Sequence, residues 1–144
     1  MIKIKETTAK KLGYREVSIG DKYEFKRELS KEDVKVFAEL TGDMNPLHVN
    51  EEFGRKSKFG KNVVHGMLAG ALFSRLVGMY CPGENCLYVS QTLNFRNPLF
   101  YGDEVTVRGT VISKNDGLRM VVLKTEIIKE GTVVINGEAK TIVL

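Results

Sequence analysis

The chain has 144 residues and 16.2 kDa, with 42% hydrophobic and 28% charged residues, the size and balance of one soluble globular domain and not of two domains or a disordered chain. Its net charge of +4 gathers at one end, where Lys3, Lys5, Lys10, Lys11 and Arg15 stand against Glu6 alone in the first fifteen residues. No recognition motif accompanies this basic leader, so it reads as a solvated arm and implies no nucleic acid.

Residues 1–19 are set apart as a basic N-terminal extension of unassigned role, and residues 20–144 as the single domain. The opening MIKIKETTAKKLGYREV alternates charged and apolar residues and lacks the apolar run of a secretory signal, so a cytoplasmic protein is expected. In GDKYEFKREL, Tyr23, Phe25 and Leu29 fall at odd positions among charges, which predicts a strand with one buried face. Ser30, followed by Glu32 and Asp33, opens a helix carrying Val34, Phe37, Ala38 and Leu40 at helical spacing, and Gly42 closes it. That helix delivers the chain to Asp43. EEFGRKSKFGKN then reads as a short helix and a loop, with Arg55, Lys56, Lys58 and Lys61 as solvated charges.

Residues 67–79 are apolar nearly all round, interrupted by Ser74 and Arg75, and predict a buried helix. A membrane span is excluded by length, since residues 67–80 reach only about 21 Å against a hydrocarbon core of about 30 Å. Cys81 and Cys86 flank a CPGENC loop whose spacing suits neither a redox pair nor a zinc site, and they read as ordinary reduced thiols. Leu87, Val89, Gln91, Leu93 and Phe95 alternate with polar neighbours, predicting a strand over 86–97 that Pro98 ends. Val105, Val107, Gly109 and Val111 make the next strand, and the turns KNDG and KEG divide the remainder into an antiparallel meander. The expectation is an α+β fold, an antiparallel sheet wrapped around a long central helix.

FAELTGDMNPLHVNEEFG, then VVHGMLAGALFSRLVG, then QTLNFRNPLFYGDEV resemble, in that order, the MaoC-type hydratases of the hot-dog fold, among them the (R)-specific enoyl-CoA hydratases. The resemblance runs from about residue 20 to the end. Helix and meander alone fit any hot-dog protein; Gly42-Asp43, Asn45-Pro46 and His48 carry the likeness to the hydratase branch.

Hydrating a double bond conjugated to a thioester takes a base for the water, a proton for C2 and electrophilic help at the carbonyl. The resemblance implies Asp43 as the general base and His48 as its partner, orienting the same water and sharing the proton transfer. On one helix the two side chains would diverge by about 140°. Pro46 is expected to turn the segment and then extend it, which brings them together. Gly66, at the start of the buried helix, is the expected carbonyl-polarising amide. Asn45 and Ser74 are expected behind the dyad, holding loop or water. His65 aligns with the VHG turn and is expected to hold that turn.

Singly, Asp43 after Gly42 and Asn45 before Pro46 are ordinary turn residues, and Ser74 can bond its own helix. The combination carries the catalytic reading. No metal or redox cofactor is expected, because the substrate brings its own CoA or acyl-carrier arm. The expected partners are that thioester and a second copy of the chain in a homodimer whose interface lies near the site. The alternatives are the same reaction in reverse as a 3-hydroxyacyl dehydratase, a thioesterase on the same fold, and a non-catalytic acyl-thioester-binding module.

Overall fold

The alternation in KYEFKREL folds as strand β1, Lys22–Leu29, with Phe25 and Leu29 buried, in a computed structural model that describes residues 8–144. Helix α1, Lys31–Thr41, begins at Ser30, whose hydroxyl accepts from the Asp33 N–H at 3.1 Å while the Asp33 carboxylate accepts from the Ser30 N–H at 2.9 Å. Gly42, at φ 79°, ends it in the left-handed region. Val34 and Ala38 face the core, but Leu40, expected on the buried stripe, is 81% exposed.

Two short helices follow, α2 at Pro46–Val49 and α3 at Glu51–Lys56. The predicted central helix is present but not continuous. It consists of α4, Gly66–Gly70, α5, Leu72–Arg75, and a π-helical turn at Leu76–Tyr80, with a tightened step where the Ser74 N–H bonds the Ala71 carbonyl at 3.0 Å. Nor is it buried all round. Phe73, Leu76 and Val77 are inside, while Met67, Ala71, Ser74 and Arg75 form an exposed stripe at helical spacing.

The strand expected over 86–97 is divided into β2, Cys86–Gln91, and β3, Asn94–Phe95. A register shift lies between Tyr88 and Ser90, and a Cβ on Gly137 would lie 1.8 Å from the Thr92 carbonyl oxygen, so the chain crosses that glycine instead of pairing evenly. Its apolar residues also face the unexpected way, with Leu87 53% and Val89 49% exposed. The meander is as predicted: β4, Asp103–Asn115, β5, Met120–Lys129, and β6, Thr132–Val143, joined by hairpins. The antiparallel order is β1-β4-β5-β6-β2, with β3 also pairing β6.

One face of this sheet holds the helix. Phe73 and Leu76 meet Phe25, Val107, Ile127 and Ile135 in one apolar cluster, and Val77 and Cys81 meet Val111, Leu123 and Val143 in another. Burial pushes the Cys81 thiol up to about 11, leaving it an unreactive core group.

The solvated-arm reading of the N-terminus is corrected over its described part, residues 8–19. Tyr14 and Val17 lie in the second cluster, the Tyr14 hydroxyl donates to Asp116 at 2.6 Å, and Lys114 donates to the Tyr14 and Val17 carbonyls. Two apolar side chains spaced three apart suffice to strap a charged segment across the end of the sheet. Among the described residues no helix is long and apolar enough to cross a membrane.

Candidate active site

Pro46 does not extend the chain after Asp43. It occupies the first position of α2, where a proline costs no hydrogen bond, and Asn45 caps that helix by accepting the Leu47 N–H at 3.0 Å. Asp43 therefore stands in the turn before the helix and His48 on its third residue, and the two acceptors converge although neither the helical nor the extended spacing alone would bring them together. One ligand atom from each of Asp43, His48 and His65 lies within 4.8 Å of the others.

Each member of the trio is held. The His48 Nδ1 bonds the Val63 carbonyl at 2.6 Å, an arrangement in which Nδ1 carries the proton and Nε2 presents a lone pair. The Tyr101 hydroxyl donates to the His48 carbonyl. The Asp43 carboxylate accepts the Asn45 N–H at 3.2 Å and its side chain is 50% exposed. His65 is 1% exposed, its Nε2 lies 3.0 Å from the Asp43 carbonyl oxygen, and its ring stacks on His48 with centroids 4.0 Å apart. His65, expected to hold the turn before the central helix, makes its ring hydrogen bond to the loop 22 residues earlier that bears Asp43.

Asp43, His48 and His65 form a donor set of the kind that can hold a metal ion, with the two ring planes 30° apart and one His65 nitrogen engaged by the Asp43 carbonyl.

His48, His65 and Gly66 line one cavity of about 510 Å³ within this one chain. Its inner wall is apolar, built from the buried Val64, Ala69, Leu99 and Ile135. Phe95 covers Gly66 so closely that a Cβ there would lie 2.8 Å from its ring. The first N–H groups of α4, those of Gly66 and Met67, have no partner within the helix. Asp43 is not among the cavity-lining residues and stands beside the imidazole pair. Ser74 is eight residues beyond Gly66, about 12 Å along a helix, exposed, and without a hydrogen bond to Asp43 or His48 among the described residues, so the structure does not bring it to the dyad.

Sequence reasoning missed several residues here. Asn62, only 6% exposed, donates to the Leu47 carbonyl at 2.9 Å and the Asn50 carbonyl at 2.8 Å, locking α2 to α3. Gly54 makes room for it, since a Cβ there would lie 2.6 Å from the Asn62 Nδ2. Asn62→Ala should destabilise the fold by about 1–3 kcal/mol in urea denaturation, because a buried acceptor loses its donor. Lys58, expected to be a solvated charge, lines the cavity, as does Arg96.

A model of the MaoC-like domain family matches residues 15–132. The 3-hydroxybutyryl-CoA dehydratase of Methylorubrum extorquens is 38% identical over 128 residues, covering 89% of this chain and 82% of that protein. The (R)-specific enoyl-CoA hydratase of Aeromonas caviae is 36% identical over 124 residues, covering 85% and 92%. Among solved structures, the (R)-hydratase of A. caviae involved in PHA biosynthesis superposes with a TM-score of 0.86 at 34% identity, covering 89% of this chain and 98% of that one. An R-hydratase of Pseudomonas aeruginosa in unliganded form gives 0.90 at 30% identity, covering 95% and 88%. With a helix-filled antiparallel sheet, an Asp-His pair beside a cavity with an apolar inner wall and relatives matched over most of their length, this chain belongs to the MaoC-like family of hot-dog hydratases and dehydratases.

Proposed function

We propose that the protein is an (R)-specific enoyl thioester hydratase, adding water reversibly to a trans-2-enoyl thioester to give the (R)-3-hydroxyacyl thioester. One observation carries this reading. The His48 Nε2 is left free by the Nδ1 bond to Val63 and lies with the Asp43 carboxylate beside a cavity whose inner wall is apolar. A water between them would meet two acceptors.

In this mechanism Asp43 is the main base and His48 orients the water and shares its proton. The water oxygen bonds C3, the C2–C3 π electrons move toward the thioester, and the Gly66 amide stabilises the enolate oxygen. C2 then takes the proton that the dyad removed from water. The substrate gains one water and the dyad ends as it began, so the step is redox-neutral and is carried here by the residues named. Asn45 holds the loop as the cap of α2; Ser74 keeps its proposed supporting role only if a second copy of the chain brings it near a dyad. The thioester arm is CoA or the phosphopantetheine of an acyl carrier, and a cytoplasmic setting suits the free thiols Cys81 and Cys86.

A homodimer belongs to the same reading. β2 is an edge strand with Leu87 and Val89 exposed, and Leu40, Met44 and Met67 are apolar and exposed at 81%, 53% and 58% near Asp43 and Gly66. Sedimentation should give twice the chain mass, and Val89→Lys should give one chain mass by setting a charge on the edge; a monomeric wild type sinks the dimer.

The deciding assay follows crotonyl-CoA and longer enoyl-CoAs for loss of conjugated absorbance, product chirality and free thiol. Hydration to the (R) product without thiol is expected. Thiol release would make it a thioesterase, and binding without turnover a recognition module. Dehydration of 3-hydroxyacyl thioesters is the same reaction run backwards, and relatives with dehydratase names at 38% identity favour testing both directions.

A further inference from the structure

We propose that His65 is a positioning residue for the proton-transfer dyad: its Nε2–H fixes the Asp43 carbonyl, and its ring backs that of His48. The inference rests on the hydratase reading and adds to it a residue whose expected task was confined to its own turn.

Three observations converge. His65 is the residue before α4, with φ −54° and ψ 127°, and its side chain makes no capping bond to that helix. The ring is therefore not spent on the element it belongs to. As core filling it is a poor choice, because Nδ1 is buried with no partner within the described residues, a desolvation cost that an apolar side chain of the same volume would not carry. What the imidazole does have is one good bond, 3.0 Å from Nε2 to the Asp43 carbonyl oxygen. The Asp43 Oδ2 is 3.8 Å from the same nitrogen, too far to compete, so the carboxylate stays open to water.

The loop that needs holding has few other ties. The Asp43 N–H bonds the Thr41 hydroxyl at 3.2 Å, and the carboxylate bonds the Asn45 N–H at 3.2 Å. Both contacts are local, from residues two positions away, and move with the loop. The His65 bond alone joins Asp43 to the rigid start of the central helix among the described contacts. The ring packs against His48, with centroids 4.0 Å apart, and against Phe37, at 4.9 Å and 60°. His48 is tethered at its far edge to Val63, two residues before His65. The spacing between the Asp43 and His48 acceptors is thus set by one buried ring that touches both, and a misplacement of about 1 Å at a reacting group can cost about 10²-fold in rate.

Two substitutions separate holding from filling. His65→Phe keeps a ring against His48 and deletes the donor; His65→Gln keeps an N–H near the Nε2 position and deletes the ring. The expected result for Phe is a kcat roughly 10- to 100-fold lower with KM changed less than about threefold, and for Gln a substantial recovery. Core filling predicts the reverse order, since Phe fills the space better, and that order overturns the proposal. Amide exchange at Asp43, Met44 and Asn45, followed by NMR, should quicken in the Phe variant and stay slow in Gln. In the unmutated protein the ring 15N shifts of His65 should report Nε2 as the protonated nitrogen, and an Nδ1–H tautomer refutes the bond whether or not either variant folds. If the unmutated protein turns over no enoyl thioester, the proposed function fails, and the exchange and tautomer measurements still decide the role of His65.

Discussion

Asp43→Asn is expected to lower kcat for hydration by about three orders of magnitude while leaving thermal unfolding close to that of the unmutated protein. General base catalysis contributes typically 10²–10⁴-fold, and an amide oxygen is far too weak a base to take a proton from water at neutral pH. The fold is spared because Asn offers the same oxygen to the Asn45 N–H, and because His65 bonds the backbone carbonyl, which the substitution does not touch. KM should change little, since the cavity wall contains other residues. Steady-state kinetics with crotonyl-CoA checks this, and a variant keeping more than a tenth of the original kcat would exclude Asp43 as the base.

Local chemistry was legible in the sequence, and the sidedness of surfaces was not. Ser30, Asp33 and Gly42 frame α1 because a cap is made by residues within one turn of each other. The hairpins at KNDG and KEG were readable for the same reason; Glu130 and Gly131 adopt φ of 48° and 78°, which the turn requires. Leu87 and Val89 show the limit. Their alternation marks a strand, but which face meets the core depends on β2 lying at the edge of a sheet that pairs it with β6, some fifty residues later. Leu40 fails likewise, as a helix pattern tells apolar from polar and not core from a face another chain could cover.

At the site, the pair Asp43 and His48 was legible, and the physical reason for their meeting was only half so. Proline can end a helix or begin one, and its role in residues 43–48 is settled by Asn45, whose side chain caps α2. Asn62 and His65 gave a weaker signal because their partners lie 12 to 22 residues away, at the Leu47, Asn50 and Asp43 carbonyls. A buried amide or imidazole serving backbone carbonyls leaves no spacing rule behind. The polar residue amid the apolar run VVHGML was the one available hint. Tyr14 and Val17 were overlooked because the charges around them dominate the composition of that segment.

His48→Asn should lower kcat by about two to three orders of magnitude with stability within about 1 kcal/mol of the unmutated protein, and it isolates one nitrogen of the ring. The Asn side-chain amide can donate to the Val63 carbonyl much as Nδ1 does at 2.6 Å, so the anchor survives while the Nε2 lone pair is lost. His48→Gln loses the anchor as well and should be both less active and less stable, which denaturation can separate from the kinetic effect. The consequence reaches beyond the one residue. Val63, which tethers His48, leads directly through His65 into Gly66, so a single stretch of five residues, 62–66, holds α2 through Asn62, anchors the imidazole, bonds the Asp43 carbonyl and begins the helix whose first residues, Gly66 and Met67, line the cavity. His48 and the Asp43 loop are thus both tied by hydrogen bonds to the backbone stretch that carries the proposed carbonyl donor, and those bonds set the distance between the two ends of the proposed reaction. An active His48→Asn variant would overturn the assignment of Nε2 and, with it, this account of how one stretch of backbone positions both ends.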